Sequence, residues 1–232
     1  MMIRTFRWNE LDDEDRRRML RRSKTDIDSL RTTVGPIIAD VQVRGDAALR
    51  DYARQFDGAD LTDRPIQVSP QEFDAAEQAL DPELKAALDY AITNVRTFHA
   101  AQVELGERCV QVRPGIIARE RSTPIDAVGL YVPSGRGSFP SMMYMLAVPA
   151  VLAGVPVVAV TTPPRPDGSV DPAVLYAARQ CGLTRVYRTG GAQAIAALAY
   201  GTDSIPAVRK VVGPGSAYVA AAKRELADLL DV

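Results

Sequence analysis

Three glycine-rich turns hold most of the residues in this sequence that could do chemistry: Ser134-Gly135-Arg136-Gly137-Ser138, Thr189-Gly190-Gly191 and Gly213-Pro214-Gly215-Ser216. Each lies between an apolar run and a helical pattern. Glycine there lets the backbone turn tightly or approach a ligand, and helix-start N–H groups attract anions. Tyr131 precedes the first turn and offers a ring to stack on and a hydroxyl; its other role would be core packing with the hydroxyl satisfied internally. Gln193 follows the second turn, amid alanines. Its amide donates and accepts at once, which suits a carboxamide or a ribose, or else a helix-terminal hydrogen bond. Arg136 could meet a phosphate or serve as a solvated loop arginine.

Other chemistries lack their parts. His99 is the only histidine and belongs to a helical stretch far from the turns, while Cys109 and Cys181 are distant in sequence. A zinc site takes three or four ligands, and no such spacing is present. The dinucleotide pattern G-x-G-x-x-G fails because Pro140 stands where the third glycine belongs. No phosphate-binding P-loop or G-x-S-x-G nucleophile appears. The residues by themselves reach a nucleotide- or anion-binding α/β domain.

The elements around these turns explain that assignment. Residues 1–125 read as mainly helical. Leu11 to Arg22 runs from acidic to basic, as the helix dipole favours. Further helices are expected from Ile27 to Val43, from Asp46 as a cap to about Phe56, from the capping box Ser69-Pro70-Gln71-Glu72, and from Asp81-Pro82-Glu83 to about Val103. Cys109 to Arg113 and Ile116 to Arg121, split by Pro114-Gly115, read as a hairpin. Residues 126–232 alternate instead. Strands are expected at 127–132, 155–162, 184–188 and 210–212, with helices at 140–153, 172–181, 191–200 and 217–230. Short connections between alternating strands and helices imply a parallel sheet covered on both faces, a Rossmann-like α/β domain.

Bulk properties narrow the partners. The chain has 28 basic and 29 acidic residues, a net charge of -1, which gives no cause to expect nucleic acid or an anionic membrane. The apolar run 142–160 is broken by Pro149, Gly154 and Pro156, so no membrane-spanning helix is expected. The N-terminus has no apolar signal region. Two separated cysteines read as free thiols in a reducing cytoplasm.

The stretches VGLYVPSG (Val128 to Gly135), GGAQAIAALAYGTDSIPAVRKVVGPG (Gly190 to Gly215) and YVAAAKR (Tyr218 to Arg224) resemble the histidinol dehydrogenase family, as does RGDAALRDYARQFDG (Arg44 to Gly58). The resemblance runs in collinear order over essentially the whole chain, and to the N-terminal half of the family only. It implies NAD-dependent oxidation of L-histidinol to L-histidine through an aldehyde, by a cytoplasmic homodimer whose sites draw on both subunits. Zinc would position the substrate without redox work. The family's NAD-contacting tyrosine falls on Tyr131 and its glutamine on Gln193. Ser216 stands where an asparagine is usual, and Pro133-Ser134-Gly135 where proline and two glycines are common. The family's zinc ligands and Glu-His base pair are expected beyond Val232, so the resemblance assigns no catalytic or metal residue here and the isolated chain is expected to be inactive. A dehydrogenase of another small polar alcohol and a non-catalytic NAD-binding or interaction module remain as alternatives.

Overall fold

The computed structural model describes residues 5–20, 28–103, 106–134 and 137–231. Arg22, Ile27, Gly135, Arg136 and Val232, all named in the sequence analysis, lie outside them. The N-terminal helices are α1 (Asp13–Leu20), α2 (Arg31–Arg44), α3 (Asp46–Tyr52), α4 (Pro70–Ala79) and α5 (Pro82–Ala100). The hairpin strands β1 (Gly106–Arg113) and β2 (Ile116–Ser122) pair antiparallel, and every residue of both is exposed. The alternating region follows as β3 (Ala127–Tyr131), α6 (Pro140–Leu152), β4 (Val157–Thr162), α7 (Pro172–Gln180), β5 (Val186–Arg188), α8 (Gly191–Tyr200), β6 (Lys210–Val212) and α9 (Ala217–Glu225).

The last four strands form one parallel sheet in the order β5-β4-β3-β6. Helices α6 and α7 cover one face with α4 and α5 packed behind them, and α8 and α9 cover the other with α2. Two apolar cores result. One joins Val34, Ile38 and Val41 of α2 to Ile195 and Leu198 of α8. The other joins Phe73 and Ile92 to Val128, Leu130 and Val160 of the sheet. The N-terminal helices therefore spend their apolar stripes on the sheet's own covering helices. The segment around Gln67 also lies antiparallel to β5, with Val68 N–H on the Val186 carbonyl at 2.8 Å and Arg188 N–H on that of Ile66 at 2.9 Å, which covers that edge.

Local chemistry sets the boundaries. Ser69 and Glu72 close a reciprocal capping box at the start of α4, and Asp81 caps α5. Asp46 does not cap: Gly45 holds that position, and the Asp46 carboxylate instead accepts from the Ser204 hydroxyl and N–H, tying α3 to the segment after α8. Helix α5 stops at Ala100, short of Val103, where Gln102 N–H turns back to the His99 carbonyl at 3.0 Å. Helix α9 ends at Glu225 rather than near Leu230, because the tail must bring Asp231 beside β6, where Val211 N–H donates to its carbonyl at 2.9 Å.

Candidate nucleotide-binding site

Strand order reverses direction of growth at β3, whose neighbours are β4 on one side and β6 on the other. In an open parallel sheet a ligand crevice forms at such a point, outside the carboxyl ends of the strands. Tyr131 is the last residue of β3, and the turn at Gly213 follows β6 directly. Tyr131 is buried, and its phenolic oxygen accepts a hydrogen bond from Gly191 N–H at 3.1 Å. Burial, chiefly, and the nearby Asp57 charge raise the phenol's pKa, outweighing that hydrogen bond. The hydroxyl thus keeps its own proton to donate.

Helix α8 starts without a side-chain cap on Gly190. Its first intrahelical bond runs from Ala194 N–H to the Gly190 carbonyl at 3.1 Å, so the Ala192 and Gln193 amides precede the hydrogen-bond ladder. Two glycines make this start possible. A Cβ on Gly190 would lie 2.3 Å from Pro163 Cγ, and Gly191 has φ +63° with no room beside the Gln193 side chain. Gln193 is 2% exposed, yet its Oε1 has no hydrogen-bond partner. A buried orphan acceptor costs about 1–3 kcal/mol, so the position is held for something other than stability.

A cavity of about 320 Å³ opens over this helix start. One wall is Gly191, Ala192 and Gln193; another is Ser216 and Tyr218 at the start of α9. Thr33 and Ile37 of α2 and the pair Phe56-Asp57 complete it. Ser216 caps α9 by accepting from Val219 N–H at 3.4 Å, which leaves its hydroxyl proton free to donate. Half-buried Lys223 donates to the Gly213 carbonyl at 2.8 Å and so pins the turn before that cap. Asp57 has a second buried orphan, Oδ2, and burial pushes its pKa up to about 6.

The structure therefore brings two of the sequence-derived residues, Gln193 and Ser216, onto one cavity, with Tyr131 bound to its wall through Gly191. It keeps His99 away, half-buried near the end of α5 and bonded to Gln102 at 2.7 Å. Among the described residues no group of three or more His, Cys, Asp or Glu is placed to hold a metal. The contributions of Phe56, Asp57, Thr33, Ile37 and Tyr218 were missed. The dipeptide Phe56-Asp57 before Gly58 reads as an ordinary helix end, and nothing in sequence says that α2 passes over the start of α8.

A family model described as histidinol dehydrogenase matches residues 20–232. The chain belongs to the histidinol dehydrogenase family. It is 46% identical over 226 residues to a histidinol dehydrogenase homolog of Rhizobium meliloti (strain 1021), covering 97% of this chain and 50% of that protein. It is 44% identical over 231 residues to the histidinol dehydrogenase of Synechocystis sp., covering 100% of this chain and 53% of that one. The crystal structure of histidinol dehydrogenase from Elizabethkingia anophelis superposes with a TM-score of 0.83 at 35% identity, over 87% of this chain and 46% of that chain. The chain spans about half the length of the curated relatives it matches, and corresponds to their N-terminal half. No helix among the described residues is long and apolar enough to cross a membrane.

Proposed function

We propose that this histidinol dehydrogenase family chain is the cofactor-holding half of an oxidoreductase that converts L-histidinol to L-histidine with NAD. The observation that carries this reading is Gln193, which lines the cavity at the start of α8 and whose buried Oε1 has no hydrogen-bond partner. A carboxamide or ribose hydroxyl of the cofactor would donate to it. Tyr131 and Ser216 each keep a hydroxyl proton to donate, and the uncapped first turn of α8 favours a diphosphate. When bound, NAD supplies the hydride acceptor for alcohol oxidation; the residues here bind and orient it. The family's zinc finds no set of ligands among the described residues, and no step is assigned to it. With this reading come a homodimer and a cytoplasmic site of action, where Cys109 and Cys181, both free, would stay reduced.

The test is calorimetric or NMR titration of NAD into the 232-residue chain and its Gln193→Ala variant. With the cavity open to water, binding is expected to be weak, on the order of millimolar, or about -4 kcal/mol. Gln193→Ala should weaken it further. No saturable binding by either, or equal binding by both, would remove Gln193 from the site.

A further inference from the structure

Asp57 carries a carboxylate that the fold itself does not use. It ends a π-helical turn, Ala53–Asp57, that continues α3 and closes on Gly58 at φ +67°, with Ala59 N–H on the Ala53 carbonyl at 3.1 Å. Such wide turns are rare and concentrate at functional sites. This one places Phe56 and Asp57 side by side in the cavity wall, with the Phe56 ring stacked on Tyr52 at 5.4 Å. Asp57 Oδ2 is buried there without a partner, and Gln193 Oε1 is in the same state on the opposing helix.

Two side chains that line one cavity each carry an orphan acceptor, which calls for a ligand group that brings at least two donors. No lysine or arginine lines the cavity, so a phosphate placed against Asp57 rather than on the α8 amides would meet a like charge with no countercharge beside it. A bare cation would satisfy the oxygens but leave the apolar wall of Ile37, Phe56 and Tyr218 uncovered. A ribose with its base attached satisfies both requirements. The volume agrees: 320 Å³ lies at the bottom of the range of about 300–1,000 Å³ for ligand pockets, which suits a nucleoside rather than a whole dinucleotide.

We propose that Asp57, together with Gln193, accepts hydrogen bonds from the vicinal hydroxyls of a ribose whose base lies between Phe56 and Tyr218, and that a phosphate on that diol is excluded. This rests on the cofactor reading above and adds the residue that reads the sugar. The diol belongs to either the adenosine or the nicotinamide half of NAD, and the two mononucleotides AMP and NMN separate these sources.

Titrations of NAD, AMP, NMN and 2′,3′-dideoxy forms of the two mononucleotides into the wild-type chain, Asp57→Asn and Asp57→Ala test it. Because Oδ2 has no partner, neither variant loses a hydrogen bond to that oxygen, and thermal melts check that both stay folded; Asp57→Asn keeps the side-chain shape if Asp57→Ala does not. Expected is at least tenfold weaker NAD binding by Asp57→Ala and a smaller loss in Asp57→Asn. Whichever mononucleotide binds the wild type should lose tenfold or more on removal of its diol, and should lose nothing further in Asp57→Ala. If that mononucleotide is AMP, NADP should bind the wild type at least tenfold more weakly than NAD. NAD binding that is equal in all three proteins, or a dideoxy form that binds the wild type as well as its parent, would overturn the Asp57 assignment while leaving the cofactor reading in place. Absence of NAD binding to the wild type would overturn both.

Discussion

The phenolic oxygen of Tyr131 accepts from Gly191 N–H at 3.1 Å, so the last residue of β3 fixes the first turn of α8. Strand and helix are separated by 60 residues in sequence, and this one bond sets where the Gln193 side chain emerges. In Tyr131→Phe the ring stays but the Gly191 amide loses its acceptor. The expected cost is about 0.5–1.5 kcal/mol, the net worth of one hydrogen bond at a part-buried amide, together with weaker NAD binding. Urea unfolding and NAD titration check it; unchanged stability would mean that water replaces the phenol.

A second tie lies at the β5 edge of the sheet. Arg188 is fully buried and donates to Glu72 Oε2 at 2.5 Å and to the Gly168 carbonyl at 2.8 Å. Burial raises the Glu72 pKa, but Arg188 and the Ser69 N–H outweigh it and the net shift is downward from 4.5. A carboxyl whose folded pKa is depressed contributes stability above its unfolded value and loses it as pH falls through the folded one. Arg188→Met should therefore cost about 1.5–3 kcal/mol at neutral pH, the worth of a hydrogen bond to a charged, part-buried group. It should also flatten the wild-type decline in stability below about pH 4.5. Denaturant melts from about pH 3 to 7 measure both, and an undiminished acid decline in the variant would show that Glu72 is not its source.

Much of this arrangement was legible in the sequence, for physical reasons that differ by element. The strand-helix alternation after Asp126 appears because buried parallel strands are short, continuous apolar runs, as in Val157–Thr162, and helices announce themselves with proline at their first position, as at Pro140 and Pro172. The capping box at Ser69 is a local pattern and is found as such. Asp46 failed because its partner, Ser204, is 158 residues away, and local preference cannot see it. Asp57 was invisible for the same reason: its meaning comes from α2 and α8 closing a cavity around it. Tyr131 and Gln193 stood out by their chemistry beside the glycine turns, and the family resemblance then pointed them and Ser216 toward NAD.

Ser216 offers a separable test of capping and binding. Its side chain caps α9 through Val219 N–H. Ser216→Ala should cost about 1 kcal/mol, as loss of a serine cap does, whereas asparagine caps equally well. Ser216→Asn should hold stability and give NAD affinity at least equal to the parent's, since the amide adds a donor and reaches farther. Melting and NAD titration of the pair decide; if Ser216→Ala binds NAD as the parent does, Ser216 serves the helix alone.

Asp57 makes the sharpest prediction for stability, because a site residue that the fold does not use should improve the fold when removed. Burial raises its folded pKa to about 6, against an ordinary value of 3.8. Between those values the folded chain holds a proton that the unfolded chain has released, so stability rises as pH falls through this window and is flat on either side. Above about pH 6 the ionised, partly buried carboxylate is a net cost, on the order of 2 kcal/mol after allowing for its partial exposure. The other titratable group coupled to it, Tyr131, has its pKa raised from 10.0 and does not titrate in this range. Asp57→Asn should therefore melt higher than the parent at neutral pH, and the gain should shrink below about pH 6 and vanish below pH 3.8. Thermal melts of both proteins at half-unit steps from about pH 3.5 to 8 provide the comparison. A variant that melts lower than the parent at neutral pH would mean that the Asp57 carboxylate holds the turn before Gly58 in place, and its buried oxygen would then need a structural explanation rather than a ligand.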